Sequence, residues 1–100
     1  MKVITFGYVH DKPPEEATLV LDCQALPDPV TSSPDAQAIL ARAREHANPG
    51  AVIAFGCGFG QSRSVQLATE FAYEMAARFA VQVEHRGINQ LFTIQKGDRR

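Results

Sequence analysis

Apolar positions along the chain fall into short unbroken runs and longer stripes at helical spacing. Residues 2–8 open with a run in which Val3, Ile4 and Phe6 are strand formers. The run breaks at Val9-His10-Asp11-Lys12-Pro13-Pro14, because two prolines cannot sit in a central strand. Residues 17–23 read as a second strand. Thr18-Leu19-Val20-Leu21 is apolar without alternation, as expected of a strand covered on both faces in a parallel sheet. It delivers Asp22 at its C-terminal end, just before Leu26-Pro27-Asp28-Pro29.

A helix is expected to start at Ser33, a good N-cap followed by Pro34 and Asp35. Ala36, Ile39, Leu40, Ala43 and Ala47 recur on one helical face, and Asn48-Pro49-Gly50 stops the pattern. Residues 51–55 form a third apolar strand that runs into a glycine-rich loop. A second helix, from about residue 62 to 79, carries Ala68, Phe71, Ala72, Met75 and Phe79 as its buried stripe. Residues 81–85 make a fourth strand. Beyond Arg86 the pattern fades: Leu91, Phe92 and Ile94 are candidates for packing, and residues 96–100 read as a frayed tail. The order predicts an α/β fold, a small single-domain βαβ-containing sheet of about four strands with helices packed on its faces, spanning residues 1–95. Only about eight residues join the first two strands, short for a parallel crossover, which leaves their pairing open.

Length and composition narrow the function classes. One hundred residues support one domain, and 45% hydrophobic residues supply a core and exclude a disordered chain. Net charge is −1 with the basic residues scattered, which is not the footprint of a nucleic-acid binder. Nothing approaches the roughly 20 apolar residues of a membrane span, and the N-terminus carries no signal-peptide pattern. Two cysteines, Cys23 and Cys57, are too few for a secreted disulfide framework, so a cytoplasmic setting is expected. No Cys/His cluster has zinc spacing; neither metal nor cofactor is expected. His10 reads as a solvated turn residue and His46 as a cation favourable to a helix C-terminus.

The chemistry is concentrated in Cys57-Gly58-Phe59-Gly60-Gln61-Ser62-Arg63-Ser64. A strand end, two glycines and a helix start make an anion site by geometry. Unpaired N–H groups of the first helical turn point at the loop, and Gly58 and Gly60 permit a nest of inward amides. Arg63 adds a planar fork for phosphate oxygens. Cys57 lies in the same positive field, which lowers a thiol pKa, and the Ser64 hydroxyl is placed to bond back into the loop.

Two families share the spacing Cys-x-x-Gly-x-x-Arg-Ser. The chain resembles the C-terminal domain of the RNase adapter protein RapZ over nearly its whole length. The matching blocks are Phe6-Gly7-Tyr8, the segment from Leu21 to Pro29, the segment from Gly56 to Val65, and His85-Arg86. The resemblance implies binding of a phosphosugar such as glucosamine-6-phosphate, with RNA and self-association as further partners. It marks Asp22, Cys57, Arg63, Ser64, His85 and Arg86 as ligand contacts alongside Gly58, Phe59, Gly60, Gln61 and Ser62. Gln24, Val30, Ser62 and Glu84 depart from the family pattern. Each change removes a positive charge or a protonatable donor, which argues against strong RNA binding.

The loop also resembles that of cysteine-dependent protein phosphatases. That likeness implies Cys57 as nucleophile, Arg63 as phosphate clamp, and Asp28 of the Pro27-Asp28 dipeptide as general acid. Against it, Gly56 stands where those enzymes carry histidine. The expected function is therefore the holding of a phosphorylated small molecule, with phosphatase activity and an RNA-binding or assembly role as alternatives. A homo-oligomer is compatible with all three.

Overall fold

The computed structural model describes residues 1–27 and 33–98. Five strands, β1 (Lys2–Gly7), β2 (Leu19–Asp22), β3 (Val52–Cys57), β4 (Val81–His85) and β5 (Gln90–Ile94), form one sheet in the order β2-β3-β1-β4-β5. Helix α1 (Pro34–Glu45) joins β2 to β3, and α2 (Arg63–Met75) joins β3 to β4. The sheet thus has one strand more than expected. β5 runs antiparallel to β4, reached through a single 3-10 turn at Arg86–Ile88, while the remaining pairs are parallel.

The pairing of the first two strands resolves simply, because they are not neighbours. Each lies parallel to β3, which sits between them. Crossover handedness then dictates the layers. From β2 to β3 and from β3 to β4 the chain steps in one direction across the sheet, and from β1 to β2 it steps in the other. Right-handed connections therefore put α1 and α2 on the same face and send the segment after β1 over the opposite face. The packing agrees. Ala36, Leu40 and Ala43 of α1 and Leu67, Phe71 and Ala72 of α2 join Val3, Leu21, Ile53, Phe55 and Val83 in one buried cluster. The other face holds Ile4, Phe6 and Ala54, covered by Tyr8 and Ala17 from the β1–β2 connection. Both helices thus occupy one face, and a loop covers the second face over β1 and β3. β2, expected to be covered on both faces, is an edge strand with Val20 and Asp22 exposed on that second face.

Local chemistry explains the helix ends. The Ser33 hydroxyl accepts the Ala36 N–H at 3.0 Å, with Pro34 opening the first turn and Asp35 beside it. α1 ends at Glu45, earlier than Asn48-Pro49-Gly50, with His46 as its cap. α2 ends at Met75, short of the expected residue 79, and the Ala76 carbonyl accepts the Gly97 N–H at 2.6 Å. That bond ties down part of the segment expected as a tail: residues 95–98 close a turn through Asp98 N–H to Gln95 O at 3.0 Å. Arg44 and Glu74 link the two helices through a bidentate pair at 2.6 and 2.8 Å.

Candidate functional site

The carboxyl ends of β1 and β3 lie side by side, and their outgoing connections leave on opposite faces. In open α/β sheets this is where ligands bind. The loop between β3 and α2 occupies that position. Its first residues stay bonded to the chain leaving β1: Tyr8 N–H donates to Cys57 O and Val9 N–H to Gly58 O, both at 2.9 Å. Gly60 then turns the chain with φ +69°, a conformation other residues rarely adopt. Gly58 does not use the left-handed region, so of the two loop glycines only Gly60 supplies the turn.

The turn directs main-chain amides at the Cys57 sulfur. Burial by itself pushes the Cys57 thiol up. Hydrogen bonds from the Ser64 hydroxyl and from the backbone of Ser64, Gly60 and Ser62 outweigh it and hold the thiol below its ordinary value. The Ser64 oxygen is 3.1 Å from the sulfur. The two helix starts differ in a way that matters here. Ser33 caps α1 with its own side chain, whereas Ser62 makes no side-chain cap bond on α2. The first turn of α2 therefore keeps its donors for the loop interior.

Arg63 opens α2. Its Nε is buried with no hydrogen-bond partner, and among the described residues its guanidinium enters no ion pair. A buried donor left unbonded is costly unless something binds there.

The other expected contacts are placed differently. Asp22 alternates with buried Leu21 onto the sheet face away from the helices. There its carboxylate accepts the Gln24 N–H at 2.9 Å, and it helps, after burial, to raise the Tyr8 phenol. His85 is buried: Nδ1 lies 2.8 Å from Thr5 Oγ1, and Nε2 lies 3.5 Å from Thr69 Oγ1. Thr69 already donates its one hydroxyl hydrogen to Val65 O at 2.6 Å. It can only accept from the ring, which assigns the proton to Nε2 and leaves Nδ1 to accept from Thr5. Desolvation lowers the His85 pKa, so the ring is neutral. Arg86 is held among Asp11, Glu16 and Glu84 at 3.3–3.6 Å. Asp28 lies outside the described residues.

Phe59 and Gln61 face outward from the loop. The Phe59 ring is 59% exposed and tilts against His10 at 5.9 Å, while Gln61 Nε2 donates to Gly87 O at 3.3 Å. A cavity of about 260 Å³ opens beside them, between Gly7, His10, Asp11, Phe59, Gln61 and Arg86. His10 is an exposed turn residue, as expected; its further place against Phe59 follows from the β1–β2 crossover, which no local pattern reveals. Thr5 and Thr69 were equally hidden, being ordinary strand and helix residues until the fold brings them to His85. No helix among the described residues is long and apolar enough to cross a membrane, and no group of metal-ligating side chains is found among them.

Comparison with known proteins follows the same region. The family model for the RapZ C-terminal domain matches residues 31–89, more than half of the chain, and covers β3, the loop, α2 and β4. The chain belongs to the RapZ C-terminal domain family. Two proteins named nucleotide-binding protein, from two strains of Thermus thermophilus, are each 30% identical to it over 119 aligned positions. The alignment takes in 90% of this chain and 43% of each relative, so this RapZ-type domain spans under half the length of the curated relatives it matches. One departure from the phosphatase pattern also gains a cause. A Cβ at Gly56 would stand 2.5 Å from Phe6 Cζ and 2.6 Å from Tyr8 Cε2, so the histidine of that pattern has no room here.

Proposed function

We propose that this domain binds the phosphoryl group of a small metabolite, a phosphosugar or a nucleotide, in the loop from Cys57 to Ser64. The observation that carries the reading is the convergence of the Gly60, Ser62 and Ser64 amides on one point, with the unpartnered Arg63 Nε at the same helix start. Groups arranged to stabilise a thiolate are the groups a tetrahedral anion needs. The 260 Å³ cavity on the flank of the loop has the size of a sugar ring, slightly below the usual ligand-pocket range of roughly 300–1,000 Å³. In this reading Phe59 and His10 offer it ring faces, and Asp11 offers a carboxylate to hydroxyl or amino groups. His85 acts by positioning α2 against the sheet rather than by touching ligand. Nucleotides belong among the ligands to be tried because the Thermus relatives are named for binding them. A regulatory role as a metabolite sensor fits a binding loop of this kind.

Calorimetry with inorganic phosphate, glucosamine-6-phosphate and AMP tests the proposal. Saturable binding of at least one, lost or strongly weakened in Arg63→Ala, supports it. Absence of heat with all three, or equal binding by the variant, removes it.

The lowered Cys57 pKa favours one second reading, a cysteine-dependent phosphatase with Cys57 as nucleophile and Arg63 as clamp. Turnover of p-nitrophenyl phosphate that disappears in Cys57→Ser would select it, and equal rates in both proteins would eliminate it. An RNA-binding role receives no specific support from the site, since Arg86 is occupied by three carboxylates.

A further inference from the structure

The second cysteine lies next to the first. β2 and β3 pair in parallel with Asp22 opposite Gly56, and Cys23 N–H continues the ladder by donating to Gly56 O at 2.6 Å. Advancing the register by one residue sets Cys23 beside Cys57. Both side chains enter the buried cluster on the helix face, and both thiols are free. Neighbouring strands run about 4.8 Å apart, inside the Cα window of about 4.4–6.8 Å that a disulfide spans. The Cβ atoms must close to about 3.8 Å. Cys23 directly follows β2 and enters a turn, and Cys57 is the last residue of β3 and enters the loop, so the convergence falls where the two strands end.

We propose that Cys57 and Cys23 form a peroxide-responsive pair, Cys57 being oxidised first and Cys23 then closing an intramolecular disulfide that withdraws the Cys57 sulfur from the loop. The chemistry balances with a hydroperoxide as the only oxidant. The Cys57 thiolate attacks one peroxide oxygen, the O–O bond breaks, and a sulfenic acid and a hydroxide (or alkoxide) result. Cys23 gives up its proton, its sulfur attacks the Cys57 sulfur, and the sulfenic hydroxyl departs with that proton as water. Two sulfurs are oxidised by one equivalent each, and one peroxide is reduced by two electrons.

The electrostatics orders the two steps. Cys23 is held protonated, pushed up to about 12 by burial first and then by the charges of Cys57 and Asp22, so it does not compete for the oxidant. Conversion of the Cys57 thiolate to a neutral sulfenic acid removes one of those opposing charges, and Cys23 becomes easier to ionise at the moment it is needed.

Intact-mass measurement after titration with hydrogen peroxide, with denaturing alkylation of remaining thiols, tests the pair. The expected result is a loss of about 2 Da with no alkylatable cysteine left, reversed by dithiothreitol. Cys23→Ser should instead gain about 16 or 32 Da at Cys57, and Cys57→Ser should stay unmodified. Overoxidation of wild-type Cys57 with Cys23 still alkylatable, a disulfide only between two chains, or no reaction at all would each overturn the proposal. The expected loss of phosphate binding on oxidation rests on the reading given under Proposed function. If reduced protein binds no phosphate yet the disulfide forms, that reading fails and the redox pair stands.

Discussion

Ser64 and Cys57 sit at opposite ends of the loop, yet the serine oxygen lies 3.1 Å from the cysteine sulfur. Seven residues of chain are folded back so that a helix start faces a strand end. When the thiol ionises only the serine can donate, and hydrogen bonds to charged groups are the stronger kind, so the contact favours the thiolate.

Removing that hydroxyl should therefore move the thiol toward its ordinary value. In Ser64→Ala, the pH at which iodoacetamide reacts with Cys57 at half its maximal rate should shift upward, measured with Cys23 replaced by serine. The main-chain donors remain, so part of the depression should survive. An unchanged profile would mean that the amides alone hold the charge.

His85 sets the pH dependence of stability near neutrality. Its folded-state pKa is lowered by burial, so the unfolded chain binds the ring proton more readily than the native one. Stability therefore rises with pH across this titration. The contribution is complete above the unfolded histidine value of about 6.5 and is lost as pH falls below it. Urea unfolding at pH 7.5 and 5.5 should show a lower midpoint at the acid value. His85→Gln should flatten that difference even if it lowers both midpoints.

Gly58 in the loop and Gly87 in the 3-10 turn answer differently to a methyl group. A Cβ at Gly87 would meet Gly60 O at 2.3 Å and Phe59 O at 2.6 Å, backbone atoms that must move. Gly58 would meet nothing within 4 Å. Gly87→Ala should lose about 1–3 kcal/mol in urea unfolding, the usual cost of overpacking, while Gly58→Ala should stay near wild type.

Arg63 separates charge from shape. Arg63→Ala should weaken binding of the phosphorylated ligand by about 1.5–3 kcal/mol, the loss of a charged hydrogen bond. Arg63→Lys keeps the charge without the fork, and should recover only part of the affinity. Calorimetry of the three proteins side by side reads this directly.

Much of the scaffold was legible. The apolar run of β3 needed cover on both faces and has it; that of β2 does not, because strand order puts β2 at the sheet edge with Val20 37% exposed. Ser33-Pro34-Asp35 marked the start of α1 because capping is a local event. β5 was illegible for the opposite reason: in Gln90–Ile94 only Ile94 is buried, so an edge strand with Leu91 66% exposed leaves no alternation to read. The loop motif itself was plain, and its turn at Gly60 follows from residue type. The fates of Asp22, His85 and Arg86 were not plain, because which sheet face a residue takes and which carboxylates surround it depend on strand order. The same ignorance of strand order left Cys23 looking like an ordinary buried thiol.

Apart from the Ser64 hydroxyl, the donors around the sulfur belong to the main chain, so their arrangement is inherited with the path of the backbone and not with the letters at positions 58, 59 and 61. Under the proposed function, exchanges at those positions would change what lies beside the phosphate and leave its main-chain cradle in place. The substitutions that abolish the cradle are those that reroute the chain, and Gly60 and Gly87 are where so small a change as one added carbon would do so.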